Sequence, residues 1–220
     1  VATACKIQTY SITIDKNGGS GTLTVNGTTQ TGTTNVTFTC EYGATFTLPT
    51  WSSASGTANN LTKSSSVFTG WDTSSPVTCS ADKTIKANWA TASCSATNGT
   101  ATLKSVTNNA PVCTITCTDG YSKSGGANRT TSFDVTGTAG ATSASGSCSA
   151  QCNVITLSPN GGTAGSVAKL YKKTGVTTWY TDNTCSADYS TDENVKPTRT
   201  DWTFRGFYLN STDAADISSS

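Results

Sequence analysis

Nine cysteines and no histidine in 220 residues constrain this chain more than any other feature. They are Cys5, Cys40, Cys79, Cys94, Cys113, Cys117, Cys148, Cys152 and Cys185. Zinc clusters usually combine Cys with His, or use paired C-x2-C knuckles. The close pairs here are spaced C-x3-C, at Cys113/Cys117 and Cys148/Cys152. Disulfides are the expected use, and they place the protein outside a reducing cytosol. The odd count leaves at least one cysteine with its partner elsewhere. Val112–Cys117 reads as a strand, on which Cys113 and Cys117 stand about 13 Å apart. A disulfide needs Cα atoms within about 7 Å. These two cysteines are therefore expected to bridge to other segments rather than to each other.

Composition explains why staples are needed. Charged residues make up 12% of the chain, about half the usual share. Ser and Thr fill about a third of it. A net charge of +1 creates no field that would attract nucleic acid. No apolar run approaches the roughly 18 residues that a membrane span requires. No secretory signal is visible. The chain starts at Val1 and contains no Met, so it reads as a processed or excised product. Six N-x-S/T sequons occur, at Asn26, Asn35, Asn60, Asn98, Asn128 and Asn210. A chain this rich in Asn, Ser and Thr would carry nearly as many by chance, so they do not indicate glycosylation.

One sentence is written twice. Ile12–Gly19 reads ITIDKNGG and Ile155–Gly162 reads ITLSPNGG. Each is an alternating half-buried strand followed by an Asn-Gly-Gly turn. After the first turn, Thr22–Val25, Asn35–Cys40, Thr45–Leu48, Val67–Trp71 and Thr84–Trp89 read as short strands. Ser52–Ser66 reads as a polar loop with a short helical turn near Ala58–Lys63. The stretch 91–152 has no Trp and few large apolar groups. Its core is poor, and disulfides worth about 2–4 kcal/mol each would have to compensate. From Asn153 the opening pattern returns, with strand candidates at Val154–Leu157, Val167–Tyr171 and Thr177–Tyr180. No long segment has helical periodicity. The expected fold is mostly β, with a boundary near 90 and another near 152.

The outer segments resemble the Listeria–Bacteroides repeat family. The first carries Asn17-Gly18-Gly19, Tyr42-Gly43, Leu48-Pro49-Thr50, Phe68-Thr69-Gly70-Trp71 and the closing Thr84-Ile85-Lys86-Ala87-Asn88-Trp89. The second carries Asn160-Gly161-Gly162, Pro197-Thr198-Arg199 and Phe204-Arg205-Gly206-Phe207. The first copy inserts about a dozen residues between Pro49-Thr50 and Phe68, and the second stops before the closing strand. The resemblance implies small β-grasp-like modules in an elongated tandem array on a bacterial surface protein. It divides the chain into 1–9, the end of a preceding module or linker; 10–90, the first repeat; 91–152, a Cys-rich β module; and 153–220, an incomplete second repeat. The chain then reads as a window on a longer array. Phe68, Trp71, Trp89, Phe204 and Phe207 are expected to fill the module cores. Aligned on the Gly-Gly turn, Cys40 and Cys185 fall 21 and 23 residues after it. On that alignment Cys40 pairs with Cys79, Cys185 has lost its equivalent partner, and Cys5 belongs to a preceding module.

Chemistry is sparse. Without His, neither a Ser-His-Asp nor a Cys-His arrangement can form. Most of the 13 acids, such as Asp15, Asp82 and Asp119, stand isolated in turns. The densest stretch holds Asp182, Asp188, Asp192 and Glu193, and reads as a polar loop, with an oxygen-ligated Ca²⁺ as the alternative. Neither Gly-Gly turn is followed by the Gly-Lys-Ser/Thr of a phosphate cradle. No catalytic residue, cofactor or metal is assigned. The expected function is that of an extracellular structural segment, a stalk, fibre or adhesin on a bacterial cell surface. Its expected partners are neighbouring modules or copies of itself. One alternative is a module binding host glycan or protein through an exposed aromatic such as Trp51 or Tyr121. Another is a filament subunit joined to its neighbours through strand edges or cysteines.

Overall fold

The computed structural model describes residues 6–54, 56, 58–124, 129–189 and 196–204. Among these residues there are strands and turns and no helix, so no helix is long and apolar enough to cross a membrane. The chain forms two compact units. One comprises Val1–Ala96, Ala101–Ile115 and Asp134–Gly146, and the other Thr97–Thr100, Thr116–Phe133 and Ser147–Ser220. Residues 91–152 are thus shared between the two units.

The first unit begins with β1 (Thr9–Asp15), followed by the hairpin β2 (Leu23–Val25) and β3 (Thr28–Gln30), then β4 (Val36–Glu41) and β5 (Thr45–Phe46). β6 (Ser66–Trp71), β7 (Val77–Thr78) and β8 (Lys83–Thr91) complete this part. Four strands form one sheet in the order β4-β1-β8-β6. The first and last strands, β1 and β8, lie parallel at its centre, and each has an antiparallel neighbour outside it. Period-two alternation builds the sheet: along β4, Val36, Phe38 and Cys40 are buried while Thr37, Thr39 and Glu41 are exposed. Those three pack with Ile12, Ile14, Leu23, Val25, Phe46, Leu48, Leu61, Val77, Cys79 and Ile85 into one core. Trp71 and Trp89 are half-buried against it. Phe68 is buried, edge-to-face with both indoles at 5.2 and 5.6 Å.

The Asn-Gly-Gly turn has a precise physical role. Asn17 and Gly18 both take left-handed conformations, with φ of 49° and 79°, and the Gly19 N–H donates to the Lys16 carbonyl at 2.9 Å. This is the I′ geometry that Asn-Gly favours. A Cβ on Gly19 would lie 2.3 Å from Cζ2 of Trp89, whose indole N–H donates to the same Lys16 carbonyl at 3.1 Å. Lys16 itself is 1% exposed. Its ammonium donates to the carbonyls of Gly21 (2.9 Å), Gln30 (3.3 Å) and Gly32 (2.7 Å), tying the open end of the β2–β3 hairpin to the turn. Burial pushes its pKa below the ordinary lysine value.

The second stretch repeats this geometry. Asn160 and Gly161 have φ of 46° and 82°, and the Gly162 N–H donates to the Pro159 carbonyl at 2.9 Å. The following residue pairs in the same way in both copies: Ser20 with Thr62, and Thr163 with Thr198. Lys63 Nζ reaches the Asn17 carbonyl at 2.9 Å, and Arg199 reaches the Asn160 carbonyl at 3.5 Å. Leu61-Thr62-Lys63 is therefore the structural counterpart of Pro197-Thr198-Arg199, and Pro49-Thr50 is not. The expected helical turn at Ala58–Lys63 is replaced by bridges from Asn59 to Leu23 and from Thr62 to Ser20. Unpaired strand edges nearby outcompete a short helix in a Ser/Asn-rich segment.

The Cys-rich stretch contributes β9 (Ser93–Thr97), β10 (Gly99–Thr107), β11 (Ala110–Cys117), β12 (Tyr121–Ser122), β13 (Ser132–Thr136), β14 (Ser143–Ser147) and β15 (Ser149–Ala150). β10, β11 and β13 form a sheet, while β9 pairs with β14 and β12 with β15. Next come β16 (Cys152–Thr156), β17 (Lys169–Lys173) and β18 (Trp179–Tyr180), a three-stranded antiparallel sheet. Its core is thin: Leu157 and Leu170 are buried, with Ile155, Val167, Trp179 and Tyr189 packed around them. Trp179 and Tyr189 were not among the aromatics expected in the cores. Phe204 is half-buried, and Phe207 lies outside the described residues.

Four disulfides staple the chain: Cys40–Cys79, Cys94–Cys113, Cys117–Cys148 and Cys152–Cys185. Cys113 and Cys117 each bridge to another segment. Cys185, a disulfide candidate whose counterpart of Cys79 is missing, bonds Cys152 instead. Alignment by spacing failed because Cys40 sits within β4 facing the core, whereas Cys185 sits in a turn after β18 with φ of 53°. Cys5 lies outside the described residues. Four intrachain disulfides mark a secreted or extracellular protein.

Candidate functional site

A groove of about 370 Å³ lies on the first unit. Ligand sites typically run from roughly 300 to 1,000 Å³. One wall is the loop Leu48–Trp51 and another is the end of β6. The third is Asn109, with Ala139 and Gly140 beside it.

Each wall is held by a specific device. On β6 the pairing with β8 shifts between Phe68 and Gly70, and this bulge turns the following Trp71 toward the loop. The Trp71 indole N–H donates to the Pro49 carbonyl at 3.0 Å. The same carbonyl accepts from the amide of Asn59 at 3.3 Å. Trp51 donates its own indole N–H to the Leu61 carbonyl at 2.9 Å. The Leu48 N–H donates to the Ser75 hydroxyl at 3.0 Å, which leaves the hydroxyl proton available to donate. Asn109 stands at the tip of the β10–β11 hairpin, where Asn108 and Asn109 both have positive φ, 51° and 54°. Its side-chain oxygen accepts from the Phe68 N–H at 2.6 Å, and its amide donates to the Phe68 carbonyl at 2.9 Å. One amide side chain thereby pairs the outer edge of β6 as a neighbouring strand would. Removing it leaves two buried backbone groups unpaired, at about 1–3 kcal/mol each.

The groove presents two half-buried indoles, a buried phenyl and neutral hydroxyls, and among the described residues no ionisable side chain lines it. Of the aromatics named from sequence as exposed platforms, Trp51 belongs to this groove. Tyr121 lies in the second unit, on β12. Phe68 and Trp71, read as core aromatics, pack inward and also line the groove. Asn109 and Ser75 were missed. Asn108-Asn109 lies between two alternating stretches, but nothing local shows what a side chain there will touch.

The acidic stretch has a structural role at Asp182. Its carboxylate accepts from the hydroxyls of Ser186 (2.6 Å) and Thr184 and from the N–H groups of Ala187 and Ser186, both at 2.9 Å. These bonds, the Ser186 hydroxyl foremost, hold its pKa well below the usual carboxylate range. Among the described residues no group of three or more His, Cys, Asp or Glu side chains could hold a metal ion. The folded pKa lies below the unfolded value of about 3.9, so this contribution is complete above that value. It is lost as pH falls through the folded pKa. Asp182→Asn is expected to lower amide-exchange protection around Cys185 at neutral pH and to abolish its decline in acid. Equal protection in both proteins at neutral pH would contradict this. No family model matches the chain, and the searches of curated proteins and of solved structures returned no match.

Proposed function

We propose that this chain is a segment of an extracellular structural protein, a stalk, fibre or adhesin portion of a bacterial cell surface. The observation that carries this reading is the serial order of the staples. Each disulfide closes before the next begins: 40–79, 94–113, 117–148, 152–185. A chain pulled from its ends carries load across the four sulfur bridges and the short backbone links between them. The residues inside each loop are shielded from extension. Interleaved pairings would knit one globule, whereas serial ones make a covalent ladder along the chain. The twice-used strand–turn module, with the same bridge and the same cationic clasp on its turn, agrees with a tandem design. So does the family resemblance of the outer segments.

The test is immunogold electron microscopy of the native source with an antibody raised against this chain. Label along surface filaments or stalks is expected. Label confined to the cell interior, or recovery of the protein solely as a freely diffusing secreted species, would overturn the proposal. The same micrographs separate a stalk from a self-assembling filament, in which label repeats along the whole length.

A further inference from the structure

We propose that the groove between Trp51, Trp71 and Asn109 is a binding site for a neutral saccharide. Three features select this ligand class. First, among the described residues no ionisable side chain lines the groove, so none of them offsets the desolvation of a charged ligand. Second, both indole N–H groups are already consumed, by the carbonyls of Leu61 and Pro49. The tryptophans therefore offer faces rather than donors. A sugar ring stacks its C–H groups on such faces. Third, the polar side chains lining it are Thr50, Thr69, Ser75 and Asn109, and the Asn109 amide already pairs with the Phe68 backbone, which leaves hydroxyls as the main polar groups. A hydroxyl both donates and accepts, which matches the hydroxyls of a sugar.

The site is also pre-organised. Trp71 is fixed by the core and by the Phe68 ring at 5.2 Å. Trp51 is fixed by its hydrogen bond to Leu61, and the far wall by the double amide bond of Asn109 to Phe68. Little ordering remains to be done on binding. Gly70 adds depth, since a Cβ there would meet nothing within 4 Å, and its φ of 130° suits glycine. The volume of about 370 Å³ suits a mono- or disaccharide portion of a longer glycan.

The full, disulfide-intact chain is to be screened on a printed array of neutral and acidic oligosaccharides. Each hit is then titrated into nitrogen-15-labelled protein, with a proline-rich decapeptide run in parallel. The expected result is a neutral glycan that moves the indole N–H resonances of Trp51 and Trp71, leaves that of Trp179 in place, and binds equally well at raised salt. Trp51→Ala should weaken binding by at least about tenfold. Because Trp51 also anchors its loop, a second variant is needed. Ala139→Arg places a long charged side chain on an exposed turn at the rim, and should give the same loss with an unchanged melting temperature. The proposal is overturned if no neutral glycan binds, or if bound glycans shift only residues outside the groove. It is equally overturned if binding is confined to acidic glycans and falls with salt, or if the peptide moves both indoles and no glycan does.

Discussion

Replacing Cys152 and Cys185 together by alanine is expected to unfold the sheet β16–β17–β18 at physiological temperature. The bond closes 33 residues, and a loop of that length constrains the unfolded chain by about 4 kcal/mol. The core it supports contains only two buried leucines, Leu157 and Leu170, each worth about 1.5–3 kcal/mol. The staple and the core are thus of similar size, and removing either leaves too little to offset chain entropy. The expected result in amide exchange is loss of protection across 152–185, while β1, β4 and β8 keep theirs. Those strands belong to the other unit and have their own core of thirteen buried residues. Retained protection at Leu157 and Leu170 in the double variant would show the core to be sufficient alone. The Asp182 knot should loosen as well, because Cys185 lies inside that turn and the Cys152 sulfur reaches the Asp182 carbonyl at 3.8 Å.

Gly19→Ala is expected to destabilise the first unit by about 3 kcal/mol, the top of the usual range for overpacking. Its Cβ would meet Trp89 at 2.3 Å on one side and the Lys16 carbonyl oxygen at 3.0 Å on the other. The indole has little freedom to retreat, since its N–H is bonded to Lys16 and Lys63 sits over its ring at 5.8 Å. Two companions calibrate the effect. Gly27→Ala has only the cost of a left-handed backbone, about 1 kcal/mol, because its φ is 77° and a Cβ would meet nothing within 4 Å. Gly162→Ala strikes the Thr198 carbonyl oxygen at 2.7 Å, so its cost falls on the second unit. Chemical denaturation followed by near-ultraviolet circular dichroism of the tryptophans reads the series. A cost for Gly19→Ala no larger than that for Gly27→Ala would mean that the contact with Trp89 is not what demands glycine there.

The strands were legible because their signal is local. Tyr10–Ile14, Val36–Cys40 and Thr84–Trp89 alternate strictly, and each lies in a strand with one face buried. Asn-Gly marked turns because few other residues accept positive φ. The Ala58–Lys63 segment was misread for the opposite reason. Its sequence has weak preferences, and its backbone groups found partners on Ser20, Thr22 and Thr24 only once those residues were folded nearby. The groove was legible in part. Trp51 drew notice as an exposed aromatic, whereas Asn109 is 41 positions from the Phe68 backbone it pairs with.

By itself, then, the sequence determined a β chain, two copies of one strand-and-turn unit, and an oxidising compartment. Periodicity, left-handed Asn and Gly positions and cysteine chemistry all act over a few residues or none. Only the tertiary structure decided which cysteines meet, which Thr follows each Gly-Gly turn across the sheet, and which aromatics share a groove. Those outcomes depend on the separation of Cα atoms distant in sequence, and a disulfide, a bridge or a stacked wall forms only after the intervening chain has been placed.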